Sequence, residues 1–234
     1  MTELLLTIDD LRAMQRSVGI WLPGFAVSGE GLGLRGELDL EEVIPIAEAF
    51  SDAVLAVEVL ADRAGAVTEY AYSISASGAR GLMEAMPRGL VGCSLPDGDP
   101  VSVVASVAGL SRELVPAEGL MWTVSAGAYQ RCDSLALAGD EEGAVAALTR
   151  AEVSERSAKA WVAALCGRGS AAAVTVVRRE PEGGRLEAGE LRFVADSLGG
   201  AWRITSDEAG YTITPVDGSG LLAALRELMR QERS

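Results

Sequence analysis

The chain has 234 residues, 49% of them hydrophobic and 23% charged, and carries a formal net charge of −14. That size and balance describe a globular protein of one large domain or two small ones, with enough apolar material for a real core. The 34 carboxylates would repel nucleic acid and anionic lipid, and the absence of histidine removes the commonest general base.

In chain order, Thr7 or Asp9 is placed to cap a first helix that carries Leu11, Met14, Gln15 and Val18 on one side and stops near Gly19. Trp21-Leu22-Pro23-Gly24 reads as a bend, and the glycine-rich residues 28–37 read as a loop. Asp39 resembles an N-cap, with Glu41 and Glu42 complementing the helix dipole and Val43, Ile46, Ala47 and Phe50 forming the apolar stripe. Pro45 lies early enough in that helix to be tolerated.

Strand character begins at Ala53 and covers 53–62, 67–76 and 89–95. In 69–76, Tyr70, Tyr72 and Ile74 share one face while Glu69, Ala71, Ser73 and Ser75 share the other. That alternation predicts an antiparallel sheet with one wet face. Residues 79–86 fit either a strand or a helical turn. Pro96-Asp97-Gly98 makes a turn, and Val101–Leu110 is helix-like. From Leu110 to Cys166 the pattern is alanine-rich and helical, with starts at Asp140 and Ser154, and predicts two or three packed helices joining two halves.

The same order then returns. Strands are expected at 171–179, 190–195, 201–206 and 211–214, with hairpin turns at Glu182-Gly183-Gly184, Leu198-Gly199-Gly200 and Glu208-Ala209-Gly210. A closing helix follows Asp217-Gly218, with Leu221, Leu222, Leu225, Leu228 and Met229 along its core stripe. A strand meander closed by a helix thus occurs twice, which marks an internally duplicated α+β architecture. The division expected is an N-terminal half, 1–110, and a helical linker or bundle plus a C-terminal half, 111–234.

Motifs for chemistry are scarce. Gly31-Leu32-Gly33-Leu34-Arg35-Gly36 spells a dinucleotide fingerprint, but a proline-broken segment precedes it and acidic residues crowd the next helix start, so it reads as a loop. No nucleophile elbow accompanies a base for serine chemistry. Cys93, Cys132 and Cys166 are widely spaced and read as free, reduced thiols, with Cys93 in the core. Glu58, Asp62, Glu69, Glu84 and Asp196 are scattered, and no EF-hand-type loop occurs, so neither a cofactor nor a metal is expected. Trp161 and Trp202 read as buried anchors. The stretch 120–137, with Leu120, Met121, Tyr129 and Leu135, has the Met and aromatic content of an adaptable interface as well as of a core.

The run Gly200-Ala201-Trp202-Arg203-Ile204, the step Thr212-Ile213-Thr214-Pro215 into the leucine-rich helix Leu221–Met229, and the passage from Ala160-Trp161-Val162 into Val174-Thr175-Val176-Val177-Arg178-Arg179 resemble the EspG family. These are cytosolic chaperones of the actinobacterial ESX (type VII) secretion systems. The resemblance implies a quasi-two-fold fold with a central antiparallel sheet and a helical bundle, and recognition of helical secretion substrates of the PE/PPE type.

The chain is therefore expected to be a non-enzymatic chaperone or adaptor. The alternative is a protein-binding scaffold unrelated to secretion, homodimeric through exposed strand edges. Exposure arguments single out Asp62, Arg63, Met121, Tyr129, Arg178, Arg179 and Glu180 as partner contacts. The N-terminal residues lack a signal-peptide pattern and no run approaches a membrane span, so a cytoplasmic protein is expected.

Overall fold

The computed structural model describes residues 3–30, 33, 40–179 and 186–230. Asp39, Glu180, the turn at 182–184 and all of the glycine motif except Gly33 lie outside the described residues. The protein is α+β and its strands pair antiparallel, apart from one short parallel contact. Its residues group into two compact units. The first holds residues 1–60, 67–107 and 174–190; the second holds 61–66, 108–173 and 191–234.

In the first unit, β1 (Glu3–Thr7) leads straight into α1 (Ile8–Val18). Thr7 caps α1 by accepting the Asp10 amide at 3.1 Å, and Asp10 returns the bond by accepting the Thr7 amide at 2.8 Å. Gly19 ends the helix at φ 74°, a conformation that favours glycine. The helix buries Leu11 and Met14, whereas Val18 and Gln15, expected on the same stripe, are exposed. Then come α2 (Gly24–Ser28), α3 (Leu40–Phe50), β2 (Ala53–Arg63), β3 (Ala66–Ser75), β4 (Arg80–Met86), β5 (Leu90–Ser94) and α4 (Pro100–Ala108). The strands of this unit are ordered β1-β5-β4-β3-β2. The ambiguous segment 79–86 is thus a strand.

One face of β3 corrects the expected wet side. Ala71, Ser73 and Ser75 are buried, and Ser73 donates its hydroxyl to the Ala49 carbonyl at 2.6 Å. Ser73 finds its partner in α3 and Ser75 in the turn that follows β3, where its hydroxyl accepts the Ala79 amide at 3.1 Å, so a polar pattern does not mean exposure here. Leu6, Leu11, Ile46, Phe50 and Met83 form the centre of this unit's core.

The second unit contains β6 (Val115–Pro116), β7 (Trp122–Val124), α5 (Ala126–Leu137), α6 (Glu141–Thr149), α7 (Glu155–Cys166) and α8 (Gly218–Met229). Strands β8 (Arg168–Arg179), β9 (Leu186–Asp196), β10 (Gly200–Asp207) and β11 (Gly210–Pro215) lie between α7 and α8 in the chain. The order here is β9-β10-β11-β7, with β6 parallel on β10. The expected helical stretch from Leu110 is thereby corrected: no helix begins before Ala126, and 110–125 is extended and strand-bearing. In chain order, four strands and a helix, β2-β3-β4-β5-α4, recur as β8-β9-β10-β11-α8.

Candidate partner-binding surfaces

Side-chain caps set the starts of the three bundle helices of the second unit. Ser125 accepts the Ala128 amide at 3.4 Å, Asp140 that of Gly143 at 2.9 Å, and Ser154 that of Ser157 at 3.2 Å. Their common core centres on Trp161, which is fully buried. Its ring meets Trp122 and Trp202 edge-to-face, each with centroids 5.9 Å apart. Among the described residues, all three indole N–H groups are buried without a hydrogen-bond partner.

Tyr129 belongs mostly to this packing. Its ring stacks on Tyr211 at 4.2 Å and tilts against Trp161 at 6.2 Å, and burial holds its hydroxyl well above the ordinary pKa. Met121 behaves differently. It and Leu120 are 65% and 75% exposed, although the loop that carries them is fixed. The Leu120 amide donates to the buried Ser157 hydroxyl at 3.1 Å, and β7 pairs with β11 from Trp122 onward. Two adjacent large apolar side chains are therefore presented to solvent on an anchored segment.

Asp62 accepts the Gly65 amide at 2.8 Å and so shapes the tip of the β2–β3 hairpin, where Arg63 is exposed. Arg178 lies half-buried on β8; the Arg179 side chain and Glu180 lie outside the described residues. Two of the other candidate acids also accept backbone amides, Glu58 at the start of α2 and Asp196 in a turn. Glu58 accepts the Gly24 amide at 2.8 Å, and Asp196 accepts those of Leu198 and Gly200 at 2.8 and 2.9 Å. Among the described residues no three groups of His, Cys, Asp or Glu gather closely enough to hold a metal ion. Cys93 and Cys132 are buried, and burial raises each thiol to about 12; Cys166 is exposed.

Each unit carries a concavity among its described residues. The first unit has a pocket of about 390 Å³ bordered by Trp21, Leu22, Val27, Asp52 and Ala53, with Trp21 stacked on Phe50. The second has a groove of about 550 Å³ between α6 and α7. Val145, Ala146, Val162 and Ala163 floor it, and Glu141, Glu142, Glu155 and Lys159 rim it. Sequence reading missed this groove, although the spacing of Glu142, Val145, Ala146 and Thr149 already gave α6 a second face.

No protein-family model and no curated protein sequence matches the chain. Among solved structures, it is similar to the Mycobacterium tuberculosis type VII secretion system chaperone EspG5, determined in complex with a PE25–PPE41 dimer. The TM-score is 0.64 at 14% sequence identity, over 97% of this chain and 96% of that one. The chain has the EspG fold. That fold accounts for the antiparallel α+β framework implied by the residues around Trp202 and Thr212-Ile213-Thr214-Pro215. Among the described residues, no helix of this EspG-like fold is long and apolar enough to cross a membrane.

Proposed function

We propose that the protein is a cytoplasmic chaperone or adaptor that binds helical secretion substrates of the PE/PPE kind for type VII export. The observation that carries this reading is the fold likeness along nearly the whole of both chains to a chaperone solved with a PE25–PPE41 dimer. A binding role, rather than catalysis, is supported by the use of Glu58, Asp62 and Asp196 as acceptors for backbone amides. The contact residues proposed are Asp62 and Arg63 at the hairpin tip, Met121 with the exposed part of Tyr129, and Arg178 to Glu180. The net charge of −14 keeps such a chaperone from associating with itself between encounters.

Co-expression with a PE/PPE-type helical pair tests the reading. The expected result is a stable complex of chaperone and client in size exclusion with light scattering. A client that elutes or aggregates without the chaperone overturns it. One observation favours the scaffold alternative: β7 ends the strand order in its unit, beside exposed Leu120 and Met121. Under that alternative, light scattering of the protein alone would give twice the 24.3 kDa mass of one chain.

A further inference from the structure

The α6–α7 groove has a chemistry that selects its occupant. Helix α6 is two-faced. Ala144, Ala147 and Leu148 are buried toward the bundle, whereas Glu142, Val145, Ala146 and Thr149, spaced by three, four and seven residues, line the groove. Helix α7 likewise buries Ala158, Trp161 and Leu165 and turns Glu155, Lys159, Val162 and Ala163 toward the groove. The link 150–154 is short, so the two helices run antiparallel. Glu141 and Glu142 at the start of α6 therefore stand at one end and Glu155 at the start of α7 at the other.

Between these ends the floor is apolar and small. Alanines at 146 and 163 allow a third helix to approach closely and pack ridges into the groove. The nine residues of α6 span about 13 Å, or two to three helical turns. Charge decides among occupants. Three carboxylates face one ammonium, and that Lys159 Nζ is already 2.5 Å from Glu155 Oε1. A second copy of this face would bring acids against acids. A helix with an apolar middle and basic residues at both ends satisfies floor and rim together.

We propose that this groove seats such a helix, supplied by the secreted client. The occupant rests on the chaperone reading, whereas the chemistry of the groove can be measured without it. The probe is a labelled amphipathic peptide of about fourteen residues, with a Leu/Ala stripe and Arg at both ends, read by fluorescence anisotropy. A version with Glu at both ends is the control. The Arg-ended peptide binds and weakens with added salt, and the Glu-ended one does not bind. The double variant Glu141→Lys/Glu142→Lys weakens binding about tenfold or more. Lys159→Ala tightens it several-fold, because Glu155 is freed; a variant that had merely lost its fold could not do this. All of the altered side chains are exposed, and circular dichroism checks that the helices persist.

Equal binding of both peptides, or no response to either variant, overturns the groove. In a parallel arm, the double charge reversal lowers co-purification of the client. If wild type captures the client and the reversed variant captures it equally well, the groove assignment falls and the chaperone reading stands. If wild type captures no client, the chaperone reading falls, and the client as occupant falls with it.

Discussion

Gly218 and Gly127 are both helical glycines, yet replacing each by alanine should move stability in opposite directions. Gly218 opens α8. Its amide donates to the Leu114 carbonyl at 2.9 Å, and a Cβ there would run into the Ser111 carbonyl oxygen. That obstacle is backbone, which cannot swing aside, so Gly218→Ala should destabilise by about 1–3 kcal/mol. Gly127 lies in the first turn of α5 with nothing near a built Cβ, and alanine there should stabilise by roughly 0.5–1 kcal/mol. Urea unfolding midpoints of the two variants check both signs, and equal shifts would contradict the packing described. Asp217-Gly218 was legible in the sequence as a helix start. The neighbour that makes glycine obligatory, Ser111, is remote in the chain and left no trace.

Ser157 joins two elements, α7 and the segment before β7. Its hydroxyl accepts the Leu120 amide at 3.1 Å and also accepts from the Ser154 hydroxyl at 2.9 Å, with Ser157 itself 2% exposed. Ser157→Ala leaves a part-buried amide without its acceptor, at about 1 kcal/mol. The Leu120 amide should then exchange faster with deuterium while amides in the middle of α7 keep their protection. Unchanged exchange at Leu120 would show that the loop is held by something else. Elements with several turns or a regular alternation were readable: α1 through Thr7 and Gly19, α6 through Asp140, α7 through Ser154, and the meander around Trp202. Strands β1, β6 and β7 were not. Two to five residues show too little of a period, and they become strands because partners exist, Cys93 for Leu4, Gly200 for Val115 and Tyr211 for Val124. The groove was hidden for a related reason. Within α6, Leu148 packs into the core whereas Val145 lines the groove toward α7. Which side of an amphipathic helix meets a neighbour depends on helices that periodicity does not place.

At the scale of the whole molecule, four groups, Tyr72, Cys93, Tyr129 and Cys132, couple ionisation to folding on the alkaline side. Burial raises Cys93, Cys132 and Tyr72 to about 12 and pushes Tyr129 higher still. For Tyr72 the nearby Arg80 cation opposes part of that rise. Each group is neutral when protonated, so the folded state holds its proton more tightly than the unfolded state. Between the ordinary thiol value of 9.0 and about 12, the native chain binds more protons than the unfolded one. Stability contributed by these groups is complete below 9.0 and is lost as pH rises through that window. Glu155, lowered by its hydrogen bond and charge pairing with Lys159, is fully exposed and adds little on the acid side. Urea midpoints should therefore stay level from neutral pH to about 9 as far as these groups act, then fall toward pH 12. Rising negative charge on a chain already at −14 also lowers stability in base, so the comparison needs a thiol-free reference. Cys93→Ala/Cys132→Ala should start less stable because of lost packing and then decline less steeply across the window. Parallel declines of the two proteins would show that the buried thiols ionise as freely in the fold as out of it, and the core placement of Cys93 and Cys132 would be wrong.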